Sequence, residues 1–268
     1  MSARRPRRRT SAAIPVPLWP PAALGLALVV LPVAGLFARI DLGRLPELLT
    51  SSVAVDALRL SVVTAALSTA LALLLGVPLA VVLAKSQVRG LRVVRALVLL
   101  PLVLPPVVGG LALLYFLGRT GPGGQVLQLA GIALPYTTAA VVLAQTFVAM
   151  PFLVVGLEGA LRTTGSRYEH VAATLGAGPW LGFRRVTLPL LLPALGSSLV
   201  LAFARALGEF GATITFAGSL RGSTQTLPLA IYTTAQDDVD AAVAMSLLLV
   251  AVALLVIGFV RPGAAEGR

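Results

Sequence analysis

The sequence predicts an all-α membrane protein with six transmembrane helices and both termini in the cytoplasm. Three observations carry that prediction. Of 268 residues, 57% are hydrophobic and only 12% charged, about half the charge of a soluble domain. Uncharged apolar runs reach the roughly 20 residues needed to cross hydrocarbon, and they do so repeatedly. Finally, the Lys and Arg residues gather at alternate ends of those runs.

In chain order, residues 1–17 read as a basic cytoplasmic tail, with Arg4, Arg5, Arg7, Arg8 and Arg9. The apolar run that follows, 18–38, exceeds the 7–15 residues typical of a signal-peptide core and has no small-residue cleavage site after it. It is therefore expected to be an uncleaved first span. Further spans are expected at about 60–84, 96–118, 136–158, 188–212 and 241–260. The uncharged stretch 120–157 is too long for one span. Gly121-Pro122-Gly123-Gly124 and Leu134-Pro135 interrupt it, so a loop is expected first and a helix from about Tyr136. With the N-terminus inside, 15 Lys and Arg fall on the cytoplasmic side and 5 on the outer side, with Arg205 inside a span. That asymmetry sets the orientation.

Composition excludes several function classes. The chain has no cysteine, which rules out disulfides and thiolate metal sites. A net charge of +11 in a soluble protein would suggest nucleic acid. Here the arginines border apolar runs, so no nucleic-acid partner is expected. The only lysine, Lys85, follows Ala84, so no phosphate-cradling G-x-x-x-x-G-K-[ST] loop can be written. A single histidine, His170, has no second His or Cys near it and makes a poor metal site. No catalytic residues, no bound cofactor and no metal are expected.

The cytoplasmic loop 162–187 is the most structured polar segment. Ser166-Arg167-Tyr168-Glu169 fits a capping box that starts a helix at Arg167. Tyr168, Val171, Ala172 and Leu175 then share one face. Gly176 stands where a C′ glycine ends a helix, and Pro179 suits the first position of a second short helix. Periodicity alone leaves two readings open: an amphipathic loop lying on the bilayer, or a docking site.

The segment Gly176–Pro189 resembles the signature loop of ABC-importer permease subunits, E-A-A-x-x-x-G-x9-I-x-L-P. Anchored on Gly176, Val186 takes the Ile place and Leu188 and Pro189 match, whereas His170, Val171 and Ala172 stand at the E-A-A places and Glu169 lies one residue early. Ala204–Thr213, Thr224–Thr233 and Leu100–Val108 resemble the molybdate or tungstate branch of that family, related to sulfate permeases. The resemblance spans residues 55–259. It implies a type I ABC importer permease fold in the bacterial plasma membrane, working by alternating access. It also implies three partners besides membrane lipid: a cytoplasmic ABC ATPase subunit that uses ATP and Mg, an extracytoplasmic oxyanion-binding protein, and a second copy of the chain. The loop helix would be the coupling helix, with Tyr168, Glu169, His170, Val171, Ala172, Leu175, Gly176 and Pro189 as its docking and framing residues. In that frame Glu169 is expected to stiffen the helix as part of the cap.

Arg205 and Glu209, four residues apart, share a helix face inside the membrane. Two readings stand: a mutual ion pair locking the helix, or an anion path with Glu209 tempering Arg205. Ser197, Ser198, Thr213 and Thr215 are candidate path hydroxyls, each with the competing role of bonding its own i−4 carbonyl. The readings that remain beside molybdate or tungstate import are sulfate or another oxyanion, and an ATPase-independent secondary transporter or channel. The last would predict an inverted repeat, and none is evident.

Overall fold

A computed structural model describes residues 15–86, 88–165 and 167–259. The tail reading for residues 1–17 therefore falls almost wholly outside the described residues. The described chain is helical throughout and divides into two compact units, Met1–Asp41 and Leu42–Arg268. The first unit contributes α1 (Trp19–Arg39), entered by a short 3-10 turn at Val16–Leu18, with no buried residue.

The second unit begins with α2 (Leu45–Thr50) and α3 (Ser52–Lys85). At 34 residues, α3 starts well before the expected Leu60. Ser51 accepts a bond from the Ala54 amide at 3.3 Å and caps it, and Asp56 and Ser52 are held by Arg221, at 3.6 Å and 2.6 Å. Charges near a helix end are tolerated once paired, so the apolar run understates the helix.

The expected third span is two helices. α4 (Leu91–Val103) and α5 (Pro106–Leu117) meet at 117°. The cause is Leu104-Pro105-Pro106: Leu104 is extended, as a residue before proline prefers, and Pro106 starts the next helix, where its missing N–H is harmless. The expected loop after Arg119 contains a short helix, α6 (Pro122–Leu129), again with proline at its first position. α7 (Thr138–Thr164) is capped by Thr137, which accepts from the Ala140 amide at 3.2 Å.

α8 (Arg167–Thr174) and α9 (Pro179–Gly182) follow. α9 does not stop before the fifth span. It runs through a π turn at Phe183–Thr187 into α10 (Leu188–Leu207), making one continuous helix from Pro179 to Leu207. Pro189 explains the turn: it cannot donate to the carbonyl four residues back, and the ladder widens so that the Leu188 N–H reaches Phe183. α11 (Gly211–Phe216), α12 (Leu227–Thr234) and α13 (Val239–Phe259) complete the unit. Among the described residues, five helices are long and apolar enough to cross a membrane, or six if the bent pair α4–α5 counts as one.

The core lies where α3, α7 and α10 meet. Ala65 and Ala80, Ala149 and Leu153, Ala202 and Ala206 pack there with Leu83, Leu157 and Leu207. Small residues suit helices packed in lipid, where close backbone approach replaces hydrophobic burial as the driving force. α5 meets α11 more closely still. A methyl group at Gly110 would overlap Thr215 Oγ1 and sit 2.7 Å from the Ala212 carbonyl oxygen, and one at Gly211 would sit 2.8 Å from Pro106. Gly110→Ala should therefore push α5 off α11 and cost about 1–3 kcal/mol, read as a lowered unfolding temperature of the detergent-solubilised protein. Gly35→Ala, with open space around it, should not lower that temperature.

Candidate functional site

The basic end of the bundle gathers Lys85 at the end of α3, Arg92 and Arg95 on α4, Arg162 on α7, and Arg167, Arg184 and Arg185 around α8 and the π turn. α8 lies across this end. Its close is a Schellman motif: the Ala177 N–H bonds to Ala172 O and the Gly176 N–H to Ala173 O, both at 3.0 Å, with Gly176 at φ +86°. No atom lies within 4 Å of where a Gly176 side chain would start, so glycine is required there by backbone conformation, not by space. Ser166, and with it the expected capping box, lies outside the described residues.

Tyr168, Val171 and Leu175 are 55%, 54% and 82% exposed, and Trp180 on α9 is 72% exposed. Trp180 stacks on Phe183 at 5.8 Å between ring centroids, which holds the indole in place. Ala172 is half-buried and His170 exposed. The result is a two-helix apolar surface that is exposed among the described residues.

Glu169 points the other way. Its Oε1 pairs with Lys85 Nζ and accepts from the Thr187 hydroxyl. Burial raises the carboxyl's pKa. The hydrogen bonds from Lys85 and Thr187 and the charges of Lys85 and His170 outweigh it, and the net shift is below the usual carboxylate range. Glu169 thus bonds long-range partners. Behind it lies a cavity of about 700 Å³, lined by Lys85, Arg162, Tyr168, Glu169, His170 and Thr187 among others.

A second carboxylate at this end is absent from the sequence-based candidates. Glu158 Oε1 takes Arg95 at 2.7 Å and Arg162 at 2.9 Å, and Arg95 also donates to the Leu83 carbonyl at 3.1 Å. It ties α3, α4 and α7 together. Its only sequence signal is an acid four residues before Arg162.

Toward the other end of α10, Arg205 and Glu209 do meet, at 2.7 Å, with the Glu209 side chain 1% exposed. Glu209 Oε1 also accepts from the Ala212 amide at 2.7 Å. The carboxylate therefore bridges the break at Gly208–Phe210 and caps α11 as well as pairing. The candidate hydroxyls separate into groups. Ser197 is exposed and bonds Pro193 O at 3.0 Å, and Thr215 bonds Gly211 O at 2.9 Å. Ser198 is buried against Gly156. Thr213 is fully buried with no partner for its hydroxyl among the described residues. Gln145 on α7 was not among the candidates. It is fully buried, and both of its amide atoms lack partners among the described residues. An amide inside an otherwise apolar span was the available signal.

Comparison with known proteins follows this geometry. The family model described as "Binding-protein-dependent transport system inner membrane component" matches residues 72–262. The molybdenum transport system permease protein ModB of Mycobacterium tuberculosis is 59% identical over 244 residues, which cover 90% of this chain and 92% of that protein. The probable molybdenum ABC transporter permease protein of Haloferax volcanii is 40% identical over 264 residues, covering 95% and 94%. A chain in the crystal structure of a bacterial alginate ABC transporter, in complex with an alginate pentasaccharide-bound periplasmic protein, superposes with a TM-score of 0.73 at 20% identity, covering 91% of this chain and 90% of that one. It shares the fold.

The lowered pKa of Glu169 fixes a sign. Its link to Lys85 and Thr187 should hold at neutral pH and weaken as pH falls through the lowered folded value. Hydrogen exchange of the α8 amides, corrected for intrinsic rates, should show constant protection around neutral pH and loss only toward acid.

Proposed function

The chain belongs to the family of binding-protein-dependent transport system inner membrane components, and from that premise we propose that it is the membrane-spanning permease subunit of an ATP-driven importer of molybdate, or of tungstate, in the bacterial inner membrane. The observation that carries the docking part of this reading is the exposed apolar face of α8 and α9 at the basic end of the bundle. Apolar side chains held rigid among cations are poorly used against water and well used in a groove of a partner protein.

In this reading the basic end is cytoplasmic, as the distribution of Lys and Arg requires. ATP hydrolysis belongs to a separate ATPase subunit, consistent with the lack of a phosphate-cradling lysine motif in this chain. Two copies of the permease enclose the path, each with one ATPase on Tyr168, Val171, Leu175 and Trp180, and an extracytoplasmic binding protein delivers the oxyanion to the opposite end. Closure of the ATPase pair draws the two α8 helices together, and the spans rock between outward- and inward-open states. We assign Arg205 and Glu209 to holding the α10–α11 break. Their charges are spent on each other and on the Ala212 amide, so Arg205 does not trap the passing anion. A path must release its cargo, and weak polar groups serve that better than free cations.

Two measurements test the assignment. ATP hydrolysis by the reconstituted complex should rise when the binding protein is loaded with molybdate. A rise with sulfate and none with molybdate would overturn the cargo. Val171→Asp should remove the ATPase subunit from the purified complex while the permease stays in the membrane, and normal co-purification would overturn the docking surface.

A further inference from the structure

Among the described residues, Glu169 is the one side chain of α8 that forms a hydrogen bond or ion pair with another element. Thr174 bonds only within α8, to Val171 O at 2.8 Å. The cavity of about 700 Å³ opens beside this helix, lined by Tyr168, Glu169 and His170 of α8 and by the ends of α3, α7 and α10. Among the described residues, one side chain of α8 makes a polar connection across that cavity to the bundle. That connection forks. Lys85 is the last residue of α3, and Thr187 closes the π turn that opens α10. Lys85 is also the only lysine in a chain of 268 residues. A compact ammonium on a flexible stem can keep a carboxylate as two elements shift, where a planar guanidinium demands one geometry.

The end of α3 is in turn fixed to its neighbours. Arg95 of α4 holds the Leu83 carbonyl at 3.1 Å and pairs with Glu158 of α7 at 2.7 Å. A displacement of Glu169 thus reaches α10 through Thr187, α3 through Lys85, and α4 and α7 through Arg95 and Glu158. A contiguous set of contacts on rigid elements is one way in which coupling is carried between sites.

We propose that Glu169 is the residue through which movement of α8 is passed to the spans, gripping α3 by Lys85 and α10 by Thr187, and that it takes no part in holding the ATPase. Glu169 is a positioning residue in this scheme: it touches neither cargo nor nucleotide. The proposal rests on α8 being the docking helix, and it divides α8 into two working faces. Val171 and Leu175 face the partner, Glu169 faces the bundle, and Tyr168 is exposed while also bordering the cavity.

The test uses the full permease–ATPase complex in proteoliposomes, with molybdate uptake and ATP hydrolysis measured together. Glu169→Gln should keep the ATPase subunit in the purified complex and lower molybdate imported per ATP hydrolysed by roughly 2- to 30-fold, the range of coupling changes caused by single substitutions along such a path. The exchanged pair K85E/E169K should recover much of the lost ratio, which assigns the effect to the ion pair, and the fall in ratio with the complex intact is what a merely structural role would not produce. An unchanged ratio in E169Q, or a lowered ratio that the exchange leaves lowered, would overturn the proposal. So would loss of the ATPase from the E169Q complex, because that places Glu169 in the docking contact. Failure of the docking reading itself is separate: it shows as normal ATPase co-purification with V171D. Should E169Q fail to fold, the cysteine-free chain offers a second route. In K85C/E169C a flexible bis-maleimide, which adds across both thiols to form thioethers, should raise the uptake-to-hydrolysis ratio, and no change on cross-linking would overturn the proposal.

Discussion

A chain with 21 Lys and Arg against 10 Asp and Glu has to spend its few carboxylates where cations crowd. At the basic end of this bundle, two of them do that work. Glu158 sits between Arg95 and Arg162, and Glu169 sits between Lys85 and the Thr187 hydroxyl. Each joins elements that are far apart in sequence, and each neutralises charge that would otherwise drive helix ends apart. Removing one partner of such a group leaves the others uncompensated, which costs more than the pair itself contributes. The ends of α3, α4, α7 and α10 and the placement of α8 all depend on these two anions.

Hydrocarbon imposes the second constraint. Backbone N–H and C=O groups there need partners within the protein, so every interruption of a helix needs a device. At α4–α5 the device is proline, which lacks one of the groups to be satisfied. Between α10 and α11 it is Glu209, which supplies an acceptor to the Ala212 amide and is itself neutralised by Arg205. At the entry to α10 it is a π turn, which lets the ladder pass the missing N–H of Pro189 without ending. That last device has a functional consequence. Because α9, the π turn and α10 are continuous, the exposed Trp180 stands on the same helix as the α10 core residues Ala202 and Ala206. The Thr187 hydroxyl held by Glu169 belongs to this same continuous helix, so the contact from α8 reaches α10 at its entry.

Features governed by local chemistry were legible in the sequence. The apolar runs located the long helices, and Gly176 marked the end of α8 because a Schellman close needs positive φ at that residue. Arg205 and Glu209 were separated by the spacing that brings them together. What escaped was of two kinds. Helix lengths were understated where charges sit near an end, as at Asp56 in α3, since hydropathy registers the charge and not its partner Arg221. Long-range pairings were invisible. Nothing near Glu169 announces Lys85, 84 positions away, so a local cap looked sufficient for it, and nothing near Glu158 announces Arg95. The bend at Leu104–Pro105 has a local signal: paired prolines inside the apolar run 96–118 hold the extended conformation that breaks it into two helices.

The account turns on α8 presenting its apolar face to a cytoplasmic ATPase. The absence of native cysteine allows that to be read at one atom. Leu175→Cys, at a position 82% exposed, can be labelled with a membrane-impermeant maleimide from either side of the membrane, with and without the ATPase subunit bound. The account predicts labelling from the cytoplasmic side only, and its suppression when the ATPase is present. Labelling from the outer side, or equal labelling with the ATPase bound, would contradict it.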